Sequence, residues 1–240
     1  MRRIIIAILI LFCVFSAVSC SENKSENKKE TETAETVLTT EAAKKTAVQG
    51  IDVSSFNGVI DWEKVKSDGI EFAIIRAGGR GYGAEGGIYE DKYVSYNFKN
   101  AEKQKIDTGV YFFSQATSVK EAEEEAVFVK NTLKGRKIKL PVAYDVEKIK
   151  GDTSRIDKVK YKDSVKYAKA FLKKINSLGY TPMVYIGEDS ILKAEDFKEY
   201  KIWYANYGKP YESGYDILQY SNTGKVKGIN SDVDLDIIYK

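Results

Sequence analysis

Residues 140–147 read LPVAYDVE: a short apolar run that ends in two carboxylates with one valine between them. A near-continuous apolar run of this length is the pattern of a strand buried on both faces. Side chains on a strand alternate faces, so Asp145 and Glu147 share one face at its C-terminal end.

Similar runs recur along the chain. They are GIDVS from 50, FAIIRAG from 72, TGVYFFS from 108, TPMVYIG from 181, KIWYAN from 201, YDILQYS from 215 and VDLDII from 233. Helical patterns follow the first five: DWEKVKSDG, DKYVSYNFKNAEKQK, SVKEAEEEAVFVKNTLK, DKVKYKDSVKYAKAFLKKINSLG and the shorter DSILKAEDFKEY. Ser118 followed by Glu121 has the spacing of a capping box for the third. The last three strands follow one another with little room for full helices. Alternating strand and helix on eight strands predicts an α/β fold, a TIM-like β/α barrel with an incomplete set of outer helices. A doubly wound open sheet is the alternative. No internal repeat is visible, and one catalytic-sized domain is read over residues 50–240.

Composition narrows the chemistry. The 240 residues carry 38 basic and 35 acidic side chains, a formal charge of +3, and no histidine. A near-balance of charge lacks the basic stripe of a nucleic-acid partner. Without histidine, Ser-His-Asp and Cys-His catalysis and His-containing metal sites are excluded. Hydrolysis by this alphabet leans on carboxylates, with lysine or tyrosine as lesser options.

Spacing alone does not make Asp145 and Glu147 a site, because Asp232, Asp234 and Asp236 repeat it, and an exposed pair at a strand end is usually solvated surface. Placement argues further. In β/α barrels the C-terminal strand ends hold the active site. Asp52 lies in the first strand and Asp234 in the last, so closure of a barrel would bring both toward Asp145 and Glu147. Tyr111, Tyr144, Tyr185, Trp203, Tyr204, Gln219 and Tyr220 lie near the same end, and aromatic faces with polar tips suit sugar rings. Glycoside cleavage needs one carboxyl that stays protonated and one that stays charged, and crowding separates their proton affinities. No metal or cofactor is required.

The ordered set GIDVSSFNGVIDWEKVKSDGIEFAIIRAG, TGVYFFSQA, PVAYDVE, PMVYIG, IWYANY and YDILQYSNTGKVKGINSDVDLDI resembles glycoside hydrolase family 25, the Chalaropsis-type lysozymes or N-acetylmuramidases, over the whole of residues 50–240. The resemblance implies a barrel with incomplete helical decoration. It also implies cleavage of the β-1,4 bond between N-acetylmuramic acid and N-acetylglucosamine in peptidoglycan strands. Glu147 matches the general acid of the family's Asp-x-Glu motif. Asp145 matches its aspartate, which supports the reacting centre either as a direct nucleophile or through the substrate's own N-acetyl group. Asp52 and Asp234 match pocket-lining aspartates. Tyr111, Tyr185, Trp203 and Gln219 are candidate substrate contacts. This chain has Tyr111-Phe112-Phe113 where many members have Tyr-His-Phe, and Leu218-Gln219-Tyr220-Ser221 where many have Trp-Gln-Tyr-Ser; activity with altered subsite contacts is expected. A chitinase-like barrel would need acidic residues where Leu140 and Val142 stand. A catalytically silent wall-binding protein on the same barrel is the rival of a different class, and the four intact carboxylates argue against it.

The glycine-rich RAGGRGYGAEGG, 76–87, lacks phosphate-loop spacing and is read as a long loop over the cleft. Arg76 and Tyr82 are candidate sugar contacts on it, and Arg76 equally suits a buried partner for one of the carboxylates.

Residues 1–20 have a basic start, an apolar run too short for a comfortable membrane span, and small residues before Cys20. Ala17-Val18-Ser19-Cys20 is similar to a bacterial lipobox with Cys20 lipidated, and ordinary secretion with cleavage after Ser19 also fits. Either route exports the protein, as a lipid-anchored form facing the wall or as a secreted one, and the lipid is its sole expected membrane contact. Residues 21–49 are polar, charged and free of aromatics, the composition of a flexible tether. Both cysteines, Cys13 and Cys20, precede the folded part, which therefore has no disulfide. A monomer is expected.

Overall fold

The structure is a computed structural model that describes residues 47–149, 154–208 and 214–239. The leader, Cys20 and most of the tether lie outside the described residues. Nine strands form one sheet: β1 (Ala47–Val53), β2 (Phe72–Arg80), β3 (Ile88–Glu90), β4 (Asp107–Phe113), β5 (Val142–Asp145), β6 (Pro182–Ile186), β7 (Lys201–Ala205), β8 (Ile217–Gly224) and β9 (Val233–Tyr239). The helices are α1 (Trp62–Ser67), α2 (Val94–Lys103), α3 (Val119–Leu133) and α4 (Tyr161–Ser177). β1 pairs with both β2 and β9, so eight strands close into a barrel and β3 hangs outside on β2. Closure rules out the doubly wound alternative, whose sheet would keep two open edges. The expected barrel with a partial helical shell is the observed one.

Three details differ from the sequence reading. The last strand, β9, runs antiparallel to both its neighbours. A parallel return needs a crossover of about a dozen residues or more, and 225–232 is too short for one. The stretch read as a loop from Arg76 continues β2 to Arg80, every residue buried. Its glycines serve packing: a Cβ on Gly78 would sit 2.0 Å from the Tyr89 carbonyl oxygen of β3. Finally, DSILKAEDFKEY holds a 3₁₀ turn, Ala194–Phe197, in place of a helix.

The strand period sorts the core into two shells. Val48, Phe72, Ile74, Ala143, Met183, Tyr185, Trp203 and Ile217 pack together inside the barrel. The alternate residues, such as Ile51, Ile75, Val110, Val142, Tyr144 and Val184, pack against the helices. On three strands a step of two residues up from the inner shell leads to a polar side chain: Ala143 to Asp145, Ile217 to Gln219, Ile74 to Arg76. The barrel is apolar below and polar at its mouth for that reason.

A buried polar knot lies in the outer shell. Arg80 Nε donates to Glu125 Oε1 at 2.7 Å, while Ser114 Oγ bonds Glu125 Oε2 at 2.6 Å and the Tyr144 hydroxyl at 2.8 Å. This ties α3 to β2, β4 and β5. Burial pushes the Glu125 carboxyl up to about 7 although Ser114 and Arg80 oppose the shift. At the start of α3, Ser118 Oγ accepts from the Glu121 N–H, as the cap spacing predicts. The Glu121 carboxylate reaches the N–H of Thr117 and Arg155 instead of Ser118.

Candidate active site

The polar mouth encloses a cavity of about 260 Å³ lined by Asp52, Tyr111, Asp145, Glu147, Tyr185, Glu188, Asp189, Trp203, Tyr207, Gln219, Asn222 and Asp234. All four carboxylates singled out in the sequence are among them. Asp52 and Asp234 face each other as register partners of β1 and β9. The antiparallel course of β9 is what puts Asp234 here, since the beginning of that strand lies at the mouth where the parallel strands end.

Asp145 closes β5 and is 6% exposed. The chain stays extended to Glu147, which pairs with Ser190 through an isolated bridge. Lys148 N–H donates to the Asp189 carbonyl at 3.0 Å, and the buried Gln115 amide donates to the Glu147 carbonyl at 3.4 Å. These bonds fix the backbone on both sides of Glu147 and bring Glu188 and Asp189 to the rim. Burial, then the Glu147 charge, raises the Asp145 carboxyl well above the usual range, and Arg76 partly offsets this. Asp145 Oδ1 is buried with no hydrogen-bond partner among the described residues.

On the opposite wall Gln219 organises the site. Its Oε1 accepts from Tyr185 OH at 3.0 Å and from Tyr207 OH at 2.7 Å, which leaves its Nε2 to donate to Asp52 Oδ2 at 2.6 Å. In this arrangement the amide oxygen faces the two phenols and the amide nitrogen faces the Asp52 carboxyl. Burial raises both phenols, so both remain donors. Burial also raises Asp52 well above the carboxylate range, with the charges of Asp234 and Asp236 adding to it and the Gln219 bond opposing it. Burial pushes Asp234 up to about 6. Trp203 forms the floor, edge-on to Tyr185 at 4.7 Å and to Tyr111 at 5.9 Å.

Two residues proposed from the glycine-rich stretch do not line the cavity. Arg76 is engaged beneath the rim: its Nε donates to Asp91 Oδ2 at 2.8 Å and a terminal nitrogen to Ser55 Oγ at 2.9 Å. It is a buried ion-pair partner, but of Asp91, a carboxylate outside the cavity. Tyr82 is 45% exposed on the turn before β3. Conversely, Glu188, Asp189, Tyr207 and Asn222 were not singled out in the sequence. Glu188 and Asp189 follow directly after a strand that ends at the mouth, so the rule that strand ends carry the site could have found them. Tyr207 and Asn222 carried no such signal beyond proximity to Trp203 and Gln219. Among the described residues, no group of three or more His, Cys, Asp or Glu could hold a metal ion.

Comparison with known proteins places this arrangement. The chain is 28% identical over 192 residues to the autolytic lysozyme of Clostridium acetobutylicum, covering 79% of this chain and 55% of the relative. It is 30% identical over 203 residues to the uncharacterized protein YegX of Escherichia coli K12, covering 79% of this chain and 69% of the relative. Its structure superposes on the modular autolysin LytC of Streptococcus pneumoniae, solved in complex with a synthetic peptidoglycan ligand. That match has a TM-score of 0.68 and 26% identity, over 80% of this chain and 47% of LytC. The chain thus spans about half the length of the first relative and of LytC. The family profile of glycosyl hydrolases family 25 matches residues 51–229, most of the barrel, and the chain belongs to that family.

Proposed function

We propose that this protein is an exported peptidoglycan hydrolase that cleaves the β-1,4 bond between N-acetylmuramic acid and N-acetylglucosamine. The observation that carries this reading is the meeting of Asp145 and Glu147 with Asp52 and Asp234 in one cavity at the mouth of a closed barrel. Family membership and the peptidoglycan ligand of LytC agree with it.

Each carboxylate has a role that its surroundings support. Two carboxyls crowded in one partly dry site hold a proton between them, because both charged forms together are disfavoured. Glu147 is the more exposed of the pair, half-buried where Asp145 is buried. It is therefore the one placed to hand a proton to the leaving glycosidic oxygen and to recover it from water. Asp145, with a buried oxygen that no group among the described residues satisfies, suits an acetamido N–H of the substrate or the cationic centre formed as the bond breaks. Asp52 and Asp234 offer carboxyl hydrogen-bond partners to the sugar from the far wall. Trp203, Tyr111 and Tyr185 offer ring surface to the sugar. The leader composition and Ala17-Val18-Ser19-Cys20 support export with Cys20 as lipid anchor, and β1 begins at Ala47 on the barrel end opposite the mouth, so a tether would leave the cleft facing outward.

Digestion of purified, N-acetylated peptidoglycan, followed by reduction and mass analysis of the new ends, tests the reading. Reduced muramic acid ends are the expected product. Reduced glucosamine ends would overturn the bond assignment. Intact glycan beside retained wall binding would replace the enzyme with the silent wall-binding protein.

A further inference from the structure

In a parallel ladder, every second residue of one strand donates its N–H to every second carbonyl of the neighbour. β4 does so along β5: Val110 N–H donates to the Pro141 carbonyl at 3.1 Å and Ser114 N–H to the Asp145 carbonyl at 2.7 Å. The next rung in that series would run from Ala116 N–H to the Glu147 carbonyl. Ala116 N–H donates instead to Ser114 Oγ at 3.2 Å. The same hydroxyl is bonded to Glu125 Oε2 at 2.6 Å and to the Tyr144 hydroxyl at 2.8 Å, which turns the chain out of the sheet toward α3. Thr117 N–H follows it, donating to the Glu121 carboxylate at 2.7 Å. What meets the Glu147 carbonyl in place of the rung is a side chain, the Gln115 amide, at 3.4 Å. From the opposite flank Ile191 N–H donates to the Val146 carbonyl at 3.4 Å. The consecutive carbonyls of Asp145, Val146 and Glu147 are thus held alternately from the two sides, and the alternation of the ladder continues one rung beyond the end of β4.

We propose that Gln115 is a positioning residue for the general acid: its amide stands in for the backbone rung and fixes the peptide plane that follows Glu147, and with it the point from which that carboxyl projects. Gln115 is wholly buried and is not among the residues that line the cavity, so it acts on the reaction only through Glu147. Its own main chain is anchored, since its carbonyl accepts from Arg155 Nη1 at 3.0 Å and Arg155 pairs with Glu121 at 2.7 Å. Its Oε1 is buried and receives no hydrogen bond among the described residues. A buried amide used at one end only is a poor stabiliser, because the unmet oxygen offsets the bond made by the nitrogen. What the amide supplies is geometry, and geometry matters here: a catalytic group displaced by about 1 Å loses on the order of 10²-fold in rate. The inference rests on the reading of Glu147 as proton donor given above.

Gln115→Met in the whole chain removes the amide and keeps the length and bulk of the side chain. Rates per folded molecule are compared on solubilised peptidoglycan and on an N-acetylglucosaminyl-N-acetylmuramyl glycoside with a dinitrophenyl leaving group, which departs without a proton. On peptidoglycan kcat should fall by on the order of ten- to a hundredfold with KM unchanged. The aryl substrate should keep close to the wild-type rate, and the melting temperature should move little. A merely structural role would lower the melting temperature and leave the ratio of the two rates as in the wild type. An unchanged peptidoglycan rate, or equal losses on the two substrates, overturns the proposal. Should Gln115→Met fail to fold, Gln115→Leu makes the same deletion and is read by the same ratio; failure of both to fold would show that the amide carries stability, contrary to the proposal. A wild type that cleaves neither substrate refutes the glycosidase reading and this inference with it. A wild type that cleaves both, beside a variant whose losses do not split, refutes the inference alone.

Discussion

Replacing Gln219 with leucine isolates the group that links the two walls of the cleft. The side chains are of similar size, so packing changes little, but three hydrogen bonds vanish. Tyr207 is on the rim, 37% exposed, and its hydroxyl turns to water at little cost. Tyr185 is 7% exposed and Asp52 6%, and neither has room to find a new partner easily. Each of these two buried groups left unsatisfied costs about 1–3 kcal/mol, partly offset by roughly 1 kcal/mol of extra apolar burial, for a net loss of about 1–5 kcal/mol. For a domain of this size that lowers Tm by roughly 2–20 °C. The loss of the donor also removes what opposes the rise of the Asp52 carboxyl, so in the variant that carboxyl should rise further and glycan should turn over more slowly per folded molecule. Thermal melts beside initial rates on solubilised glycan measure both effects. A Tm within a degree of the wild type, with an unchanged rate, would refute the reasoning that Gln219 organises the site.

Other expectations follow from the same contacts. Arg76→Met leaves the buried Asp91 without its cation, which should cost about 3–5 kcal/mol in a denaturant titration; adding Asp91→Asn should restore part of it, and no rescue would mean that the two do not act as a pair. Gly50→Ala puts a Cβ 2.2 Å from the Phe72 ring inside the barrel, and overpacking should cost about 1–3 kcal/mol by the same titration. Glu125 has a folded pKa near 7 against 4.5 unfolded, so the native state binds the extra proton between those values and stability falls as pH rises from 4.5 through about 7. Melts across that window should decline in the wild type and decline less in Glu125→Gln.

The outline of the site was legible because period-2 alternation does two jobs at once. Ala143, Asp145 and Glu147 share a face, so recognising 140–147 as a strand also aims its carboxylates. Asp52 and Asp234 followed from closure of first strand on last. The direction of β9 was missed because strand patterns carry no sense of direction; only the short link 225–232 encodes it. Gly78 and Gly79 read as loop because glycine weakens strands in general, whereas here the close approach of Tyr89 forbids a side chain. Arg76 stood open between a sugar contact and a buried carboxylate partner; its guanidinium meets Asp91 and Ser55, and the sequence pattern carried no sign of that pairing. Asp236 stood in plain view beside Asp234, yet a single sequence cannot say that its neighbour would be Trp203, contributed by a strand 33 positions away.

The role of Glu147 as proton donor is the centre of the account, and leaving-group dependence tests it most directly. Wild type and Glu147→Gln should be compared on peptidoglycan and on an N-acetylglucosaminyl-N-acetylmuramyl glycoside bearing a dinitrophenyl leaving group. A sugar alkoxide needs protonation to depart, so the variant should lose about 10²–10⁴-fold on peptidoglycan. Dinitrophenolate departs unprotonated, so the aryl substrate should retain most of its rate of bond cleavage. Equal losses on both substrates would contradict the assignment of Glu147 as general acid.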